Sequence, residues 1–370
     1  TGPLPLVAAA AGELAFALPL RARVRRVIDE VESARLDLVL LLQLLDRLED
    51  ERFTSPRLVA LQGALDAGGV APSRRIASLE RMIDLLDARR NQLFAPFSYL
   101  LLWGTQFACA FEAWRACCGA AIPGWLTAAG EIEALCSLAG FAWEHPEHAM
   151  PRVVAAADGP LYDGEGLGHP LIPSDACVCN DVRLSRRGED RFPQALVVSG
   201  SNMSGKSTLL RTVGINAVLA LAGAPVSARS LTLTPVAVGA TLRIQDSLQG
   251  GTSRFYAEIT RLRAIVESAT GVLAPLFLLD EMLSGTNSHD RRVGAEAILR
   301  SLVDKGAIGL VTTHDLSLSE IADALSPRAE NVHFEDHLEE GRMIFDYVCR
   351  PGVMTKSNAI ELMRSVGLEL

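Results

Sequence analysis

Up to about residue 150, apolar residues return every three or four positions, as in Val24, Val27, Ile28 and Val31. That spacing lays an apolar stripe along one face of an α-helix, and the abundant Ala, Leu, Arg and Glu between are good helix formers. The pattern predicts helices from about Arg21 to Asp50, Ser73 to Asn91, Phe97 to Cys118 and Pro123 to Ala142, packed as a bundle or lever. From about Glu165 the pattern changes to short apolar runs separated by Gly, Pro, Ser and Asp. Ala195–Ser199, Leu276–Leu279 and Ile308–Thr312 read as strands buried on both faces, with helices between them. Strand–helix alternation implies a mainly parallel sheet flanked by helices, an α/β region over 161–370 behind an all-α region over 1–160.

Leu93–Phe111 carries no charge over 19 residues, close to a membrane-spanning length. Its Pro96, Ser98, Gly104, Thr105 and Gln106, and the expected run into Glu112 and Arg115, favour a core helix over a span. Leu4–Leu20 is also apolar but is interrupted by Glu13 and Pro19.

With 49% hydrophobic and 21% charged residues in 370, the chain has material for a sizeable core, which excludes a disordered or collagen-like protein. Seven cysteines without framework spacing read as reduced thiols, so a cytoplasmic setting is expected. No basic segment precedes an apolar one at Thr1, so no secretory signal is visible. A net charge of −9 means that the surface as a whole does not attract nucleic acid. Among the 35 basic residues only Lys206, Lys305 and Lys356 are lysine, and a compact ammonium that Arg's planar fork cannot replace is one reason for a lysine to stand there.

The strongest local signal is Gly200, Ser201, Asn202, Met203, Ser204, Gly205, Lys206, Ser207, which fits G-x-x-x-x-G-K-[ST]. An apolar strand runs into it and a helical stretch beginning at Lys206 follows, so loop amides and a helix N-terminus converge where phosphate oxygens would sit. Lys206 would hold the β- and γ-phosphates of ATP, and the Ser207 hydroxyl would ligate Mg²⁺. Leu276–Leu279 then ends in adjacent carboxylates, Asp280 for the metal and Glu281 as general base toward water. His314 closes the third strand, within reach of a γ-phosphate.

These residues resemble the MutS-type ATPases, a branch of the ABC ATPase superfamily, over about Gly168–Leu368. The resemblance is carried by Gly168-His-Pro-Leu171, Asn180-Asp181, Ser199-Gly-Ser-Asn-Met-Ser-Gly-Lys-Ser-Thr-Leu-Leu-Arg211 and Asp246-Ser-Leu-Gln-Gly-Gly-Thr-Ser-Arg-Phe-Tyr-Ala-Glu258. Leu279-Asp-Glu-Met-Leu-Ser-Gly-Thr-Asn287, Thr312-Thr-His314, Val332-His-Phe334, Pro351-Gly352, Lys356-Ser357 and Gly367-Leu368 continue it. It implies a P-loop NTPase fold of the ABC type, with ATP and Mg²⁺ as cofactors and the loop from Gly200 to Thr208 around the phosphates. It also implies a homodimer joined through the ATPase region, with Ser253 reaching the partner's nucleotide and Gly285, Thr286 and Asn287 linking the two sites. Asn180 falls where the family contacts the base, and His314 matches the family's switch histidine.

The family spends ATP on DNA handling, so a DNA repair or recombination role is expected. Departures from the pattern bear on that role. The chain has no Phe-x-Glu, the pair with which mismatch readers wedge and bond a base, so it resembles a short member lacking that domain. Arg254 stands where Thr is common and Ser284 where Arg is common. The alternative is a membrane-associated or scaffold ATPase without mismatch recognition, tethered through a segment upstream of Thr1.

Cys177 and Cys179 with His169 lack a second ligand pair at zinc spacing and read as structural thiols. Arg21, Arg23, Arg25 and Arg26 read as a solvated helix face, and Trp103, Trp114, Trp125 and Trp143 as packing residues.

Overall fold

The computed structural model describes residues 4–65, 69–186, 192–242, 254–283, 285–314, 318–339 and 342–354. The chain divides into two units, Thr1–Ser137 and Leu138–Leu370. Helices build the first: α1 (Leu4–Ser33), α2 (Arg35–Asp50), α3 (Pro56–Leu65), α4 (Pro72–Asp87), α5 (Ala95–Leu100), α6 (Trp103–Cys118) and α7 (Ile122–Glu144), the division falling inside α7. The α1 stripe, Val27 and Ile28, packs with Leu79, Ile83 and Leu86 of α4 and with Ala108 and Phe111 of α6. A second cluster joins Leu45 and Leu48 of α2 to Leu61 and Leu65 of α3 and to Trp125, Ala128 and Ile132 of α7.

The helix expected over Arg21–Asp50 is two helices, parted at Ala34. On one side of the break Glu32 accepts from Arg89 and Arg90, and on the other Arg35 pairs with Asp84 and Asp87, so both halves are anchored to the end of α4. The backbone of α1 also starts earlier than expected and runs through Pro19. The uncharged stretch splits at Leu102, which adopts φ 48°, between α5 and α6. From Trp103 onward it is a packed helix, as expected, but Leu93 (85% exposed) and Phe97 (60%) are not buried. Among the described residues no helix is long and apolar enough to cross a membrane, so the membrane-associated alternative draws no support from them. Trp103 and Trp114 donate to carbonyls of Leu85 and Arg75 and Trp125 is buried, whereas Trp143, at 87% exposure, corrects the packing expectation.

The second unit runs β1 (Arg152–Val153), β2 (Leu161–Leu167), β3 (Asn180–Ser185), β4 (Ala195–Ser199), α8 (Lys206–Ala222), β5 (Ser230–Leu233), β6 (Ala237–Ala240) and α9 (Arg254–Ser268). It continues β7 (Pro275–Asp280), α10 (Ser288–Asp304), β8 (Ile308–Thr313), α11 (Ser319–Leu325), β9 (Ala329–Glu339) and β10 (Arg342–Pro351). A six-stranded sheet has the order β10-β9-β4-β8-β7-β6, parallel at every pairing except β9 with β10. Side chains alternate across it: Leu196, Val198, Leu276, Leu278 and Leu310 pack toward α8, and Val197, Phe277, Leu279 and Val311 toward α9, α10 and α11.

The remaining strands form a four-stranded sheet, β1-β5-β2-β3, in which β2 is antiparallel to both neighbours. The unit is therefore α/β as expected, with a mainly parallel six-stranded sheet, and it adds a second, mixed sheet that was not expected. The second sheet has one buried face, with Tyr162, Val182 and Leu184 in the core. Its other face carries an ion-pair cluster of Arg183 with Asp163 and Glu165.

Candidate nucleotide site

β4 delivers the chain into the Gly200–Gly205 loop, and α8 starts at Lys206. Gly205 sits at φ +106°, where an L side chain is strained, and a Cβ on Gly200 would lie 2.7 Å from Ser204 Oγ. The loop curls over Lys206, which is 5% exposed and donates from Nζ to the carbonyls of Gly200 (2.8 Å) and Ser201 (2.7 Å). Burial lowers the Lys206 pKa, and the nearby Glu281 and Asp280 charges work against that shift. Ser201 Oγ and Ser204 Oγ are buried without a hydrogen-bond partner among the described residues. Asn202 is exposed, and Met203 (82% exposed) adopts φ 69°.

The acidic pair stands opposite. Asp280 Oδ1 accepts from Ser207 Oγ (3.0 Å) and Thr312 Oγ1 (2.6 Å), and the Asp280 N–H donates to Thr241 Oγ1 (3.2 Å). Glu281 follows at φ 48°, its N–H donating to the same Thr312 hydroxyl (3.0 Å) and its carboxylate 3.5 Å from His314 Nδ1. A side chain other than Gly held at positive φ costs on the order of 1–3 kcal/mol, so the surrounding bonds fix a carboxylate that a free strand end would leave loose.

Lys206, Ser207, Thr208 and Glu281 line one cavity of about 470 Å³, together with Asn180 and Tyr347. That size suits a nucleotide-sized ligand. Asn180 also ties two strands together, donating to the Tyr347 carbonyl (3.0 Å) and accepting from the Cys349 N–H (2.7 Å). Tyr347, at φ 56° where the β9–β10 register shifts, was not foreseen, because the residue that positions it is far away in sequence. Thr241 carries no local signal either, whereas Thr312 lies within a quoted motif and its hydroxyl proves to serve both carboxylate residues.

Ser253 lies outside the described residues, as do Asp246–Ser253, Ser284, Lys356–Ser357 and Gly367–Leu368. Gly285, Thr286 and Asn287 are not brought into the cavity. Asn287 caps α10, accepting from the Asp290 N–H (2.9 Å), and Arg291 donates to the Leu283 and Thr286 carbonyls.

Beside Asn180, burial pushes the Cys349 thiol up to about 12. Its stabilising contribution is complete below the ordinary thiol pKa of about 8.5 and is lost as pH climbs toward the folded value. In the native protein near pH 8.5, iodoacetamide is expected to modify the exposed Cys109, Cys117 and Cys136 and to spare Cys349, as read by peptide mass mapping. Equal modification would contradict this burial.

Residues 196–369 match the family model described as MutS domain V. The chain is 35% identical over 241 residues to the DNA mismatch repair protein MutS 2 of Halobacterium salinarum, covering 64% of this chain and 27% of that protein. It is 33% identical over 213 residues to Endonuclease MutS2 of Thermus thermophilus (57% and 27%). Against the DNA mismatch repair protein MSH6 of Arabidopsis thaliana it is 31% identical over 259 residues (66% and 19%). The matched region thus spans between 19% and 27% of these relatives' own lengths. Over residues 196–369, the chain is thus similar to domain V of the MutS family and to the corresponding part of these MutS-type proteins.

Proposed function

We propose that this chain is a P-loop ATPase of the ABC type, a short MutS-like module that hydrolyses ATP and couples the turnover to DNA handling as a homodimer. Residues 161–370 are read as the ATPase and residues 1–160 as the region that transmits its motion. The carrying observation is the buried Lys206 ammonium beneath the loop, which shares one cavity with Glu281 and feels the charges of both Glu281 and Asp280.

The residues present fit ATP and Mg²⁺. The unpartnered Ser201 and Ser204 hydroxyls offer donors, and the N-terminus of α8 favours phosphate charge. The Ser207 hydroxyl beside the Asp280 carboxylate is an all-oxygen set suited to a hard cation. Ser207 and Asp280 would hold Mg²⁺, which when bound neutralises charge on the phosphate oxygens. Lys206 exchanges its loop carbonyls for phosphate oxygens and stabilises the charge that builds on them. Glu281 accepts the proton of the attacking water, and His314, 3.5 Å from its carboxylate, orients that group.

The names of the relatives support the DNA assignment, and Gly285, Thr286 and Asn287, all at the surface or close to it, remain available to a second copy. Dimerisation through them, and through Ser253, is part of the proposal.

The test is equilibrium binding of a fluorescent ATP analogue, with turnover measured with and without duplex DNA at two salt concentrations. Lys206→Met is expected to weaken nucleotide binding by about 10- to 100-fold, the scale of losing a charged hydrogen-bonding group. Equal affinity in wild type and variant would overturn the nucleotide reading. Turnover that no form of DNA changes would overturn the coupling.

A further inference from the structure

Two histidines and a glutamate lie together in the turn that follows α7, away from the nucleotide cavity. One ligand atom each from His145, Glu147 and His148 fall within 4.8 Å of one another. His145 Nδ1 is 3.3 Å and His148 Nε2 3.7 Å from the same Glu147 oxygen. The His148 side chain is only 9% exposed, yet its Nδ1 has no hydrogen-bond partner among the described residues. A buried imidazole nitrogen left without a partner is costly, and a bound cation is one way to relieve it.

The same cleft, of about 720 Å³, is also lined by Cys177 and Cys179, whose sulfurs lie outside the 4.8 Å group. Their sulfurs converge: a Cβ on Gly168 would stand 2.9 Å from Cys177 Sγ and 3.4 Å from Cys179 Sγ, so only glycine leaves room for both. The two halves are tied to one segment. Ala149 and Val226 exchange backbone hydrogen bonds of 3.1 and 2.8 Å, and the Gly168 N–H donates to the Ser227 carbonyl at 2.7 Å. His169, grouped with these thiols on sequence grounds, bonds instead to the Leu171 N–H and does not line the cleft.

We propose that this cleft is a binding site for a zinc-class divalent cation, held by His145, Glu147 and His148 and closed by a thiolate of the Cys177–Cys179 pair. Imidazole, carboxylate and thiolate together select zinc over magnesium or calcium, which prefer oxygen alone. Binding releases the thiol proton to solvent. A tetrahedral ion with bonds of about 2.0–2.1 Å needs its donors about 3.4 Å apart, so the widest pair of the three must close by roughly 1.4 Å, and a cysteine sulfur must move in from outside the group. The two imidazoles, now stacked with centroids 4.6 Å apart and planes at 8°, must also open. His145 and Glu147, the more exposed pair, have the freedom to do so, while Phe141 backs both rings at 4.8 and 5.5 Å.

The site has a route to the nucleotide cavity. Along the loop before β3, Asp175, Cys177 and Cys179 line the metal cleft, and the alternate residues Ala176, Val178 and Asn180 line the nucleotide cavity. An ion that fixes the sulfurs therefore fixes the opposite face of the same short segment.

The experiment uses the full chain without a histidine tag, stripped of metal and titrated with Zn²⁺ and separately with Co²⁺. One zinc per chain is expected to survive dialysis, with a sulfur-to-cobalt charge-transfer band and tetrahedral d–d bands in the cobalt form. Glu147→Gln changes an exposed group and His145→Ala a half-exposed ring, and the thermal unfolding midpoint of each metal-free variant checks that the fold is kept. Each is expected to weaken binding by at least the 10–100-fold that removal of even an outer-sphere partner costs. The double variant Cys177→Ser/Cys179→Ser is expected to lose the charge-transfer band, and the single variants identify the sulfur used. Sub-stoichiometric zinc, unchanged affinity in the His145 and Glu147 variants, or a wild-type cobalt spectrum without the sulfur band would each overturn the proposal.

Discussion

Replacing Glu281 by Gln is expected to leave ATP bound while slowing its hydrolysis by about 10²–10⁴-fold, the contribution of a positioned general base. The amide keeps the size of the side chain and leaves the backbone N–H bond to Thr312 in place, so the turn at φ 48° survives. It cannot take a proton from water, and it removes the negative charge that faces His314 at 3.5 Å. Phosphate release measured beside equilibrium ATP binding separates the two effects. Retained turnover would remove Glu281 from the base role. Loss of binding along with turnover would mean instead that the carboxylate holds the site together.

The largest effect on stability is expected at Phe277. This side chain is fully buried at the middle of β7, on the face toward α9, α10 and α11. Its neighbour across the ladder is Gly309, where a Cβ would lie 2.5 Å from the Phe277 ring and 2.0 Å from its carbonyl oxygen. Gly309 has no side chain with which to refill the space, so Phe277→Ala should cost about 3–5 kcal/mol, the upper range for core truncations. Tryptophan fluorescence reports mainly on the first unit, which contains Trp103, Trp114 and Trp125, so the measurement needed is amide exchange in β7 and β8. Protection unchanged to within a factor of ten would contradict the estimate, since that factor is about 1.4 kcal/mol.

The parts of this protein that were legible in its sequence are those whose causes are local. Ala195–Ser199 is a strand at the residues expected, because an unbroken apolar run bounded by Pro193 and Gly200 has few other fates. The loop from Gly200 to Ser207 was equally plain, since its glycines, lysine and serine are contiguous.

What stayed hidden depends on distant partners. The break at Ala34 is flanked by ion pairs with residues about fifty positions on, and nothing near Ala34 announces it. The second sheet stayed hidden because the one-sided alternation of Tyr162, Asp163, Gly164 and Glu165 is a weak signal beside the stronger apolar runs. Thr241 and Tyr347 reach the site only through sheet pairing and the bonds of Asn180. Cys177 and Cys179 share their cleft with His145 and His148, about thirty positions upstream, a distance that no ligand spacing announces.

The bridge made by Asn180 has a mechanical meaning. It spans from the four-stranded sheet to the bulged edge of the six-stranded one, and the nucleotide cavity opens at that seam, walled by Leu167 from one side and by Lys206, Phe334 and Tyr347 from the other. Whatever fills the cavity acts as a keystone between two stacked leaves, and its binding energy falls on their mutual angle. Emptying it leaves the shared apolar core and the amide of Asn180 to resist the shear.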